Sequence, residues 1–222
     1  MQEWPKSERP GEKLLESGAS ALSNKELLAV LMHNGQAQES ALQISSALLN
    51  KFGTLRKLIS ASKSDFCTVP GGSEVKYAQL QAAMEIVKRQ YEESLRRVAV
   101  FHHSNDVVKY LQCQLRDLAH EVFAILMLDS QHQLIAYRQL FRGTINASAV
   151  YPREIIKKVL SDNASAVILV HNHPSGIAEP SQTDILMTKR IQSALDLIDV
   201  PLLDHFIVGD TTSVSMAQRG VI

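Results

Sequence analysis

Two histidines, a hydroxyl and a carboxylate stand close together in His171-Asn172-His173-Pro174-Ser175-Gly176-Ile177-Ala178-Glu179-Pro180-Ser181-Gln182-Thr183-Asp184. The run that leads into this stretch, Ala166-Val167-Ile168-Leu169-Val170, is apolar and rich in β-branched residues. It reads as a buried strand ending on His171. Residues two apart on an extended chain face the same side, so the imidazoles of His171 and His173 point together. Pro180-Ser181 opens an apolar-periodic segment that reads as a helix, which puts Asp184 in its first turn. Two imidazoles and a carboxylate can make a three-ligand site, and three protein ligands with one open position is the arrangement of a catalytic zinc. Each part also has a plainer reading. Histidines near a strand end are commonly ordinary polar residues, and Pro174-Ser175-Gly176 is a common turn sequence. Ser181 and Asp184 alone make a good helix N-terminus, the serine capping and the aspartate favoured by the positive helix end. In this order, at a strand-to-helix junction, the combination is more specific than its parts.

Hydrolysis needs a base beside a metal-activated water. Beyond residue 100 the glutamates are Glu121, Glu154 and Glu179. Glu154 lies in a helix where Lys157 or Lys158 can pair with it, and Glu179 lies in the loop between the ligands, where it is open to solvation. Glu121 opens an apolar strand, where it is either a solvated strand-end carboxylate or the base. Other signatures fail. His120-Glu121 begins like H-E-x-x-H, but position 124 is Ala. The P-C-x-x-C of zinc deaminases, the Walker loop and the G-x-S-x-G elbow are absent.

The elements that must position these groups occupy the second half of the chain. Ser104 can cap a helix from Asp106 to about Leu118, after a strand at Val98 to Phe101. Val122–Leu128 and Leu134–Leu140 read as paired strands around Asp129-Ser130-Gln131-His132. A helix from Pro152 to Leu160, the strand into His171, a helix from Ser181 to about Leu197, and strands at Leu202–Val208 and Ser213–Met216 complete this half. The first half reads as helix throughout: a short helix around Glu12-Lys13-Leu14-Leu15, one capped by Ser23 with Glu26 as a capping box, and one from Ser40 to Lys51 closed by Gly53. Thr54 to Ser60 follows, then the turn Val69-Pro70-Gly71-Gly72 and a long helix from Lys76 to about Arg96. The change of character predicts two domains, residues 1–98 and 99–222.

With 222 residues, 45% hydrophobic and 21% charged, the composition is that of a globular protein. A formal net charge of zero gives no bulk drive toward nucleic acid or membrane. Cys67 and Cys113 form no CxxC pattern, so neither a disulfide framework nor a thiolate metal site is implied. Free thiols suit a reducing compartment. Met1 to Pro10 lacks the apolar core of a signal peptide, and no apolar run approaches the roughly 20 residues of a membrane span. The expectation is a cytoplasmic protein with no membrane partner. Oligomeric state has no signature here.

The pattern E…H-x-H-x7-S-x2-D, set by Glu121, His171, His173, Ser181 and Asp184, resembles the JAMM motif of MPN (JAB) metalloproteases. His171 to Gly176, with the upstream Gly143-Thr144-Ile145-Asn146-Ala147-Ser148 and Pro152-Arg153-Glu154, more narrowly resembles the RadC family, over essentially the whole chain. The resemblance implies an α/β MPN domain, three layers around a curved mixed sheet, preceded by a small all-α domain. It implies that His171, His173 and Asp184 ligate Zn2+ and that a water fills the fourth position, its pKa lowered from 15.7 toward about 7. Glu121 then serves as general base and acid, and Ser181 donates a hydrogen bond to the oxyanion. The reaction implied is hydrolysis of a peptide or isopeptide bond in a peptide or protein substrate, which the motif does not name.

The first half resembles the RadC helical leader with a helix-hairpin-helix turn, whose backbone N–H groups can hold a DNA phosphate. The usual G-h-G is here Gly71-Gly72-Ser73, with Ser73 in place of the second glycine and Tyr77 where a small residue is common. A purely structural hairpin therefore stands beside the DNA-binding reading, in which Lys76 is the phosphate contact. Three functions follow: a zinc metallohydrolase, a DNA-associated accessory protein with a non-catalytic MPN fold, and an interaction scaffold. Completeness of the five-residue pattern favours the first.

Overall fold

A computed structural model describes residues 9–32, 38–97, 104–143 and 150–222. The described residues form two compact units, divided between Ile86 and Val87.

In the first unit, short helices are started by specific caps. Helix α1 (Pro10–Ser17) has proline in its first turn and ends at Gly18, with φ of 79°. Helix α2 (Asn24–Leu31) has the full capping box: Glu26 N–H donates to Ser23 Oγ (3.3 Å), and the Ser23 N–H donates to Glu26 Oε2 (2.7 Å). Helix α3 (Gln38–Phe52) is closed by Gly53 (φ 76°), α4 (Leu55–Ile59) is capped by Thr54, and α5 (Lys63–Cys67) by Ser62. Helix α6 (Glu74–Arg97) follows and carries the division between the units. Leu28, Met32, Leu48, Leu58, Phe66, Val69 and Leu80 make the core of this unit.

Helix α5 is not predicted by apolar periodicity, because five residues are too few to show a period. Its start lies in the Ser62 hydroxyl, which accepts from Asp65 N–H (3.0 Å). The turn between α5 and α6 explains its own composition. A Cβ on Gly71 would overlap the Ile44 side chain, and one on Gly72 would stand 2.5 Å from the Phe66 carbonyl oxygen. Ser73, which departs from the expected glycine, accepts from Lys76 N–H (3.4 Å) and so caps α6.

The second unit is built on an open five-stranded mixed sheet in the order β2-β1-β3-β4-β5. Its elements are α7 (Ser104–Leu115), β1 (Val122–Leu128), β2 (Leu134–Arg142), α8 (Pro152–Ser161), β3 (Ala166–Asn172), α9 (Gln182–Asp196), β4 (Leu202–Val208) and β5 (Ser213–Ser215). Strand β1 pairs antiparallel with β2 and β3, β3 runs parallel to β4, and β5 returns antiparallel. Strands β1 and β3 are buried at every residue, which explains why they read as unbroken apolar runs. Alternate residues feed two cores. Val122, Ala124, Leu126, Ile168 and Val170 meet α7 and the end of α6, whereas Phe123, Ile125, Val167 and Leu169 meet α8 and α9. The result is helix, sheet, helix.

Boundaries shift by a few residues at α6 and α7, which begin at Glu74 and Ser104, and β2 runs on to Arg142. The strand expected at Val98 to Phe101 and the segment Thr144 to Ser148 lie outside the described residues. Among the described residues no helix is long and apolar enough to cross a membrane.

Candidate metal centre

Pairing brings the separated residues together. Phe123 on β1 is registered with His171 on β3 in the antiparallel ladder, so Glu121, two residues before Phe123, stands across from His173, two residues after His171. Asn172 points to the opposite face. Its Oδ1 accepts from Val122 N–H (2.8 Å) and its Nδ2 donates to the His120 carbonyl (3.2 Å), so it grips the chain on both sides of Glu121. The loop after β3 is fixed by Gly176, whose φ of 86° suits glycine and whose carbonyl accepts from Asp210 N–H (2.8 Å). Helix α9 then starts with a capping box. Ser181 Oγ accepts from Asp184 N–H (3.1 Å), and Ser181 N–H donates to Asp184 Oδ2 (2.7 Å).

The plainer reading of Ser181 and Asp184 is therefore realised, and it aims the carboxylate. Asp184 Oδ1 is 3.4 Å from His171 Nε2 and its Oδ2 is 3.6 Å from His173 Nε2. The two Nε2 atoms are 3.0 Å apart. On the far side of each ring, His173 Nδ1 meets the Ile177 carbonyl (2.7 Å) and His171 Nδ1 meets His205 Nε2 (2.9 Å). A carbonyl can only accept, so His173 carries its proton on Nδ1 and turns a lone pair toward His171. Two ring nitrogens so placed share a proton or a metal ion between them. Glu121, His171 and His173 each offer one ligand atom, all within 4.8 Å of one another. The donor set fits a metal ion.

Electrostatics follow from burial. His171 is fully buried, which pushes its pKa down to about 4 against the pull of Asp184. His205 is likewise buried and held well below the usual imidazole range. His173 is only half-buried, and the Asp184 carboxylate beside it raises its pKa. Burial alone would raise Asp184, but His173, His171 and the Ser181 contacts outweigh it and hold the carboxyl well below its ordinary value. At neutral pH this is an anionic carboxylate facing imidazoles, as metal ligation requires.

The other glutamates are engaged elsewhere. Glu154 pairs with Lys157 (3.2 Å) and Arg153 (3.4 Å), and exposed Glu179 pairs with Arg219. Glu121 is the one at the site. The sequence reading missed Asn172, Thr188 and His205, each at most 1 % exposed. Asn172 lay inside the histidine motif, but its task depends on pairing with β1. His205 carried a faint signal, an imidazole within the apolar run of β4.

The RadC-like JAB domain family matches residues 101–221, and the UPF0758 N-terminal family matches residues 1–78. The chain is 56% identical to a UPF0758 protein of Alteromonas mediterranea, over 99% of this chain and 97% of the relative. It is 54% identical to one of a Marinomonas species, over 100% and 99%. It is 52% identical to one of Shewanella frigidimarina, again over 100% and 99%. With both halves matched and half of its residues shared along its length, the chain belongs to the RadC (UPF0758) family.

Proposed function

We propose that this protein is a zinc-dependent metallohydrolase that cleaves peptide or isopeptide bonds. The observation that carries the reading is the convergence of His171 Nε2, His173 Nε2 and the Asp184 carboxylate, separated by 3.0, 3.4 and 3.6 Å. Two nitrogens bound to zinc at about 2.0–2.1 Å in a tetrahedral site stand about 3.3 Å apart, close to these separations. Asp184 is the third ligand in this reading because it faces both imidazoles. Glu121, directly before the neighbouring strand β1, also brings a carboxylate oxygen within 4.8 Å of the histidine ligand atoms. With Asp184 as the third ligand, its role in this reading is to act on the nucleophile rather than to hold the metal.

Bound zinc would supply a Lewis acid that makes a nucleophile of hydroxide strength near neutral pH. Glu121 accepts the proton released at that step and returns it to the leaving amine. Ser181 Oγ spends a lone pair on the Asp184 N–H, which leaves its O–H to donate to the developing oxyanion. Loss of one such donor costs about 10²–10³ in rate. Asn172 holds the backbone on both sides of Glu121 and so fixes its reach. The alternative of a DNA-associated accessory role leaned on the Gly71-Gly72 turn, and close packing against Ile44 and Phe66 accounts for both glycines.

Metal content of the purified chain, measured by mass spectrometry beside a His171→Ala, His173→Ala double variant, tests the reading. The expected result is about one zinc per chain in the parent, none in the double variant, and full metal with lost peptide hydrolysis in Glu121→Gln. No zinc in the parent after supply and removal of excess would refute it.

A further inference from the structure

Behind His171, away from the metal face, two side chains of 0 % exposure form an unbroken line. His171 Nδ1 meets His205 Nε2 at 2.9 Å, and His205 Nδ1 meets Thr188 Oγ1 at 2.6 Å. Thr188 Oγ1 in turn meets the Asp184 carbonyl oxygen at 2.6 Å. Met216 Sδ, at 3.8 Å, is the weaker neighbour of the same hydroxyl. Neither Thr188 nor His205 reaches the metal face, and the hydrolysis scheme uses neither.

The hydrogens on this line have one consistent placement. The Asp184 carbonyl has no proton to give, so the threonine O–H points at it. The same hydroxyl must then accept from His205, which puts a proton on His205 Nδ1. A second proton on His205 would leave an imidazolium wholly buried between two neutral contacts, at high desolvation cost. His205 Nε2 is therefore an acceptor, and His171 donates to it from Nδ1. What remains on His171 is a bare Nε2, aimed at His173 and Asp184.

We infer that Thr188 and His205 are the positioning residues of the metal centre, locking His171 in the tautomer and ring orientation that present Nε2 to the metal. The inference rests on the metal-centre reading above and extends it to residues outside the five-residue motif. The geometry gives the line a second function. Thr188 is one helical turn after Asp184 and bonds back to its carbonyl. One end of the line is thus the backbone of one ligand and the other end is the ring of another. A shift of α9 against β3 and β4 would disturb both ligands at once. Outer partners of this kind fix ligand histidines in metal sites generally.

The full chain tests this in two measurements. Ring ¹⁵N spectra of the metal-free protein should show His171 and His205 each protonated on Nδ1. A His171 protonated on Nε2 with a bare Nδ1 overturns the inference without any variant. Zinc affinity by competition with a chromophoric chelator should fall about 10–100-fold in Thr188→Val, which keeps the shape and lacks the hydroxyl. Thr188→Ser, which keeps the hydroxyl, should restore most of it. Unchanged affinity in Thr188→Val, or equal loss in both variants, overturns the inference while leaving the metal centre standing. No zinc uptake by the parent overturns the metal centre itself, and the ring spectra still decide the tautomer.

Discussion

Replacing Asn172 by Ala isolates the grip on Glu121. The side chain is 1 % exposed and makes two hydrogen bonds to β1 backbone, at 2.8 Å from Val122 N–H and 3.2 Å to the His120 carbonyl. Alanine removes both. Val122 is wholly buried, so its N–H loses an acceptor that water cannot readily replace. A buried donor left unsatisfied costs about 1–3 kcal/mol. For a chain of this size each kcal/mol lowers the midpoint by about 2–4 °C, so a fall of about 2–12 °C is expected. The His171, His173 and Asp184 atoms that face one another are untouched, so zinc uptake should persist. Hydrolysis should fall, by up to about 10²-fold for a misplacement of about 1 Å. Thermal unfolding and amide exchange at Val122 check this without a known substrate. A midpoint lowered by less than about 2 °C, with Val122 exchange no faster than in the parent, would refute the reasoning.

Asp184→Asn should lose zinc on dialysis by more than the roughly 10–100-fold that an outer partner costs, while Glu121→Gln keeps it; equal retention in both would exclude Asp184 as a ligand. Gly71→Ala should destabilise by about 1–3 kcal/mol, because it adds overlap with Ile44 to an unfavourable φ of 79°. Gly53→Ala, with φ of 76° and open space around it, should cost only the conformational part, about 1 kcal/mol, and urea unfolding compares the two. Glu26 is held by Lys13 and then Ser23 at a pKa of about 2, below its ordinary 4.5. The folded value is the lower one, so its stabilising effect is full above about 4.5 and is lost as pH falls toward 2. Glu26→Gln should therefore lower the midpoint near neutral pH, by an amount typical of a lost cap at about 1 kcal/mol, and the gap to the parent should close in acid.

What could be read in the sequence was local. The two-residue spacing of His171 and His173, the apolar run before them and the cap at Ser181 each act within one element, and the structure brings all three together. Glu121 was left open by elimination and was assigned by the resemblance to the JAMM motif, because its place beside His173 depends on a ladder between residues 50 apart in the chain. For the same reason Thr188 gave no signal and His205 only a faint one. A threonine within a helix and a histidine within a strand carry no pattern until β4 lies beside β3 and α9 lies across both. Helix α5 was missed because a cap, not periodicity, starts it.

The alternation along β3 has a consequence for how this chain can vary. His171 and His173 face the metal side and Asn172 the other, and the strand before them supplies both cores in turn. A single inserted or deleted residue between Ala166 and Asn172 would exchange the two faces. The imidazoles would be driven into one core and Asn172 into the site, with no partial loss available. A length change at exposed Pro174 and Ser175 would strain the His173 contact with the Ile177 carbonyl but would not exchange the faces. Length changes compatible with function should therefore stop abruptly at the end of β3, a boundary that libraries of one-residue deletions across 164–180 would reveal as a step rather than a slope.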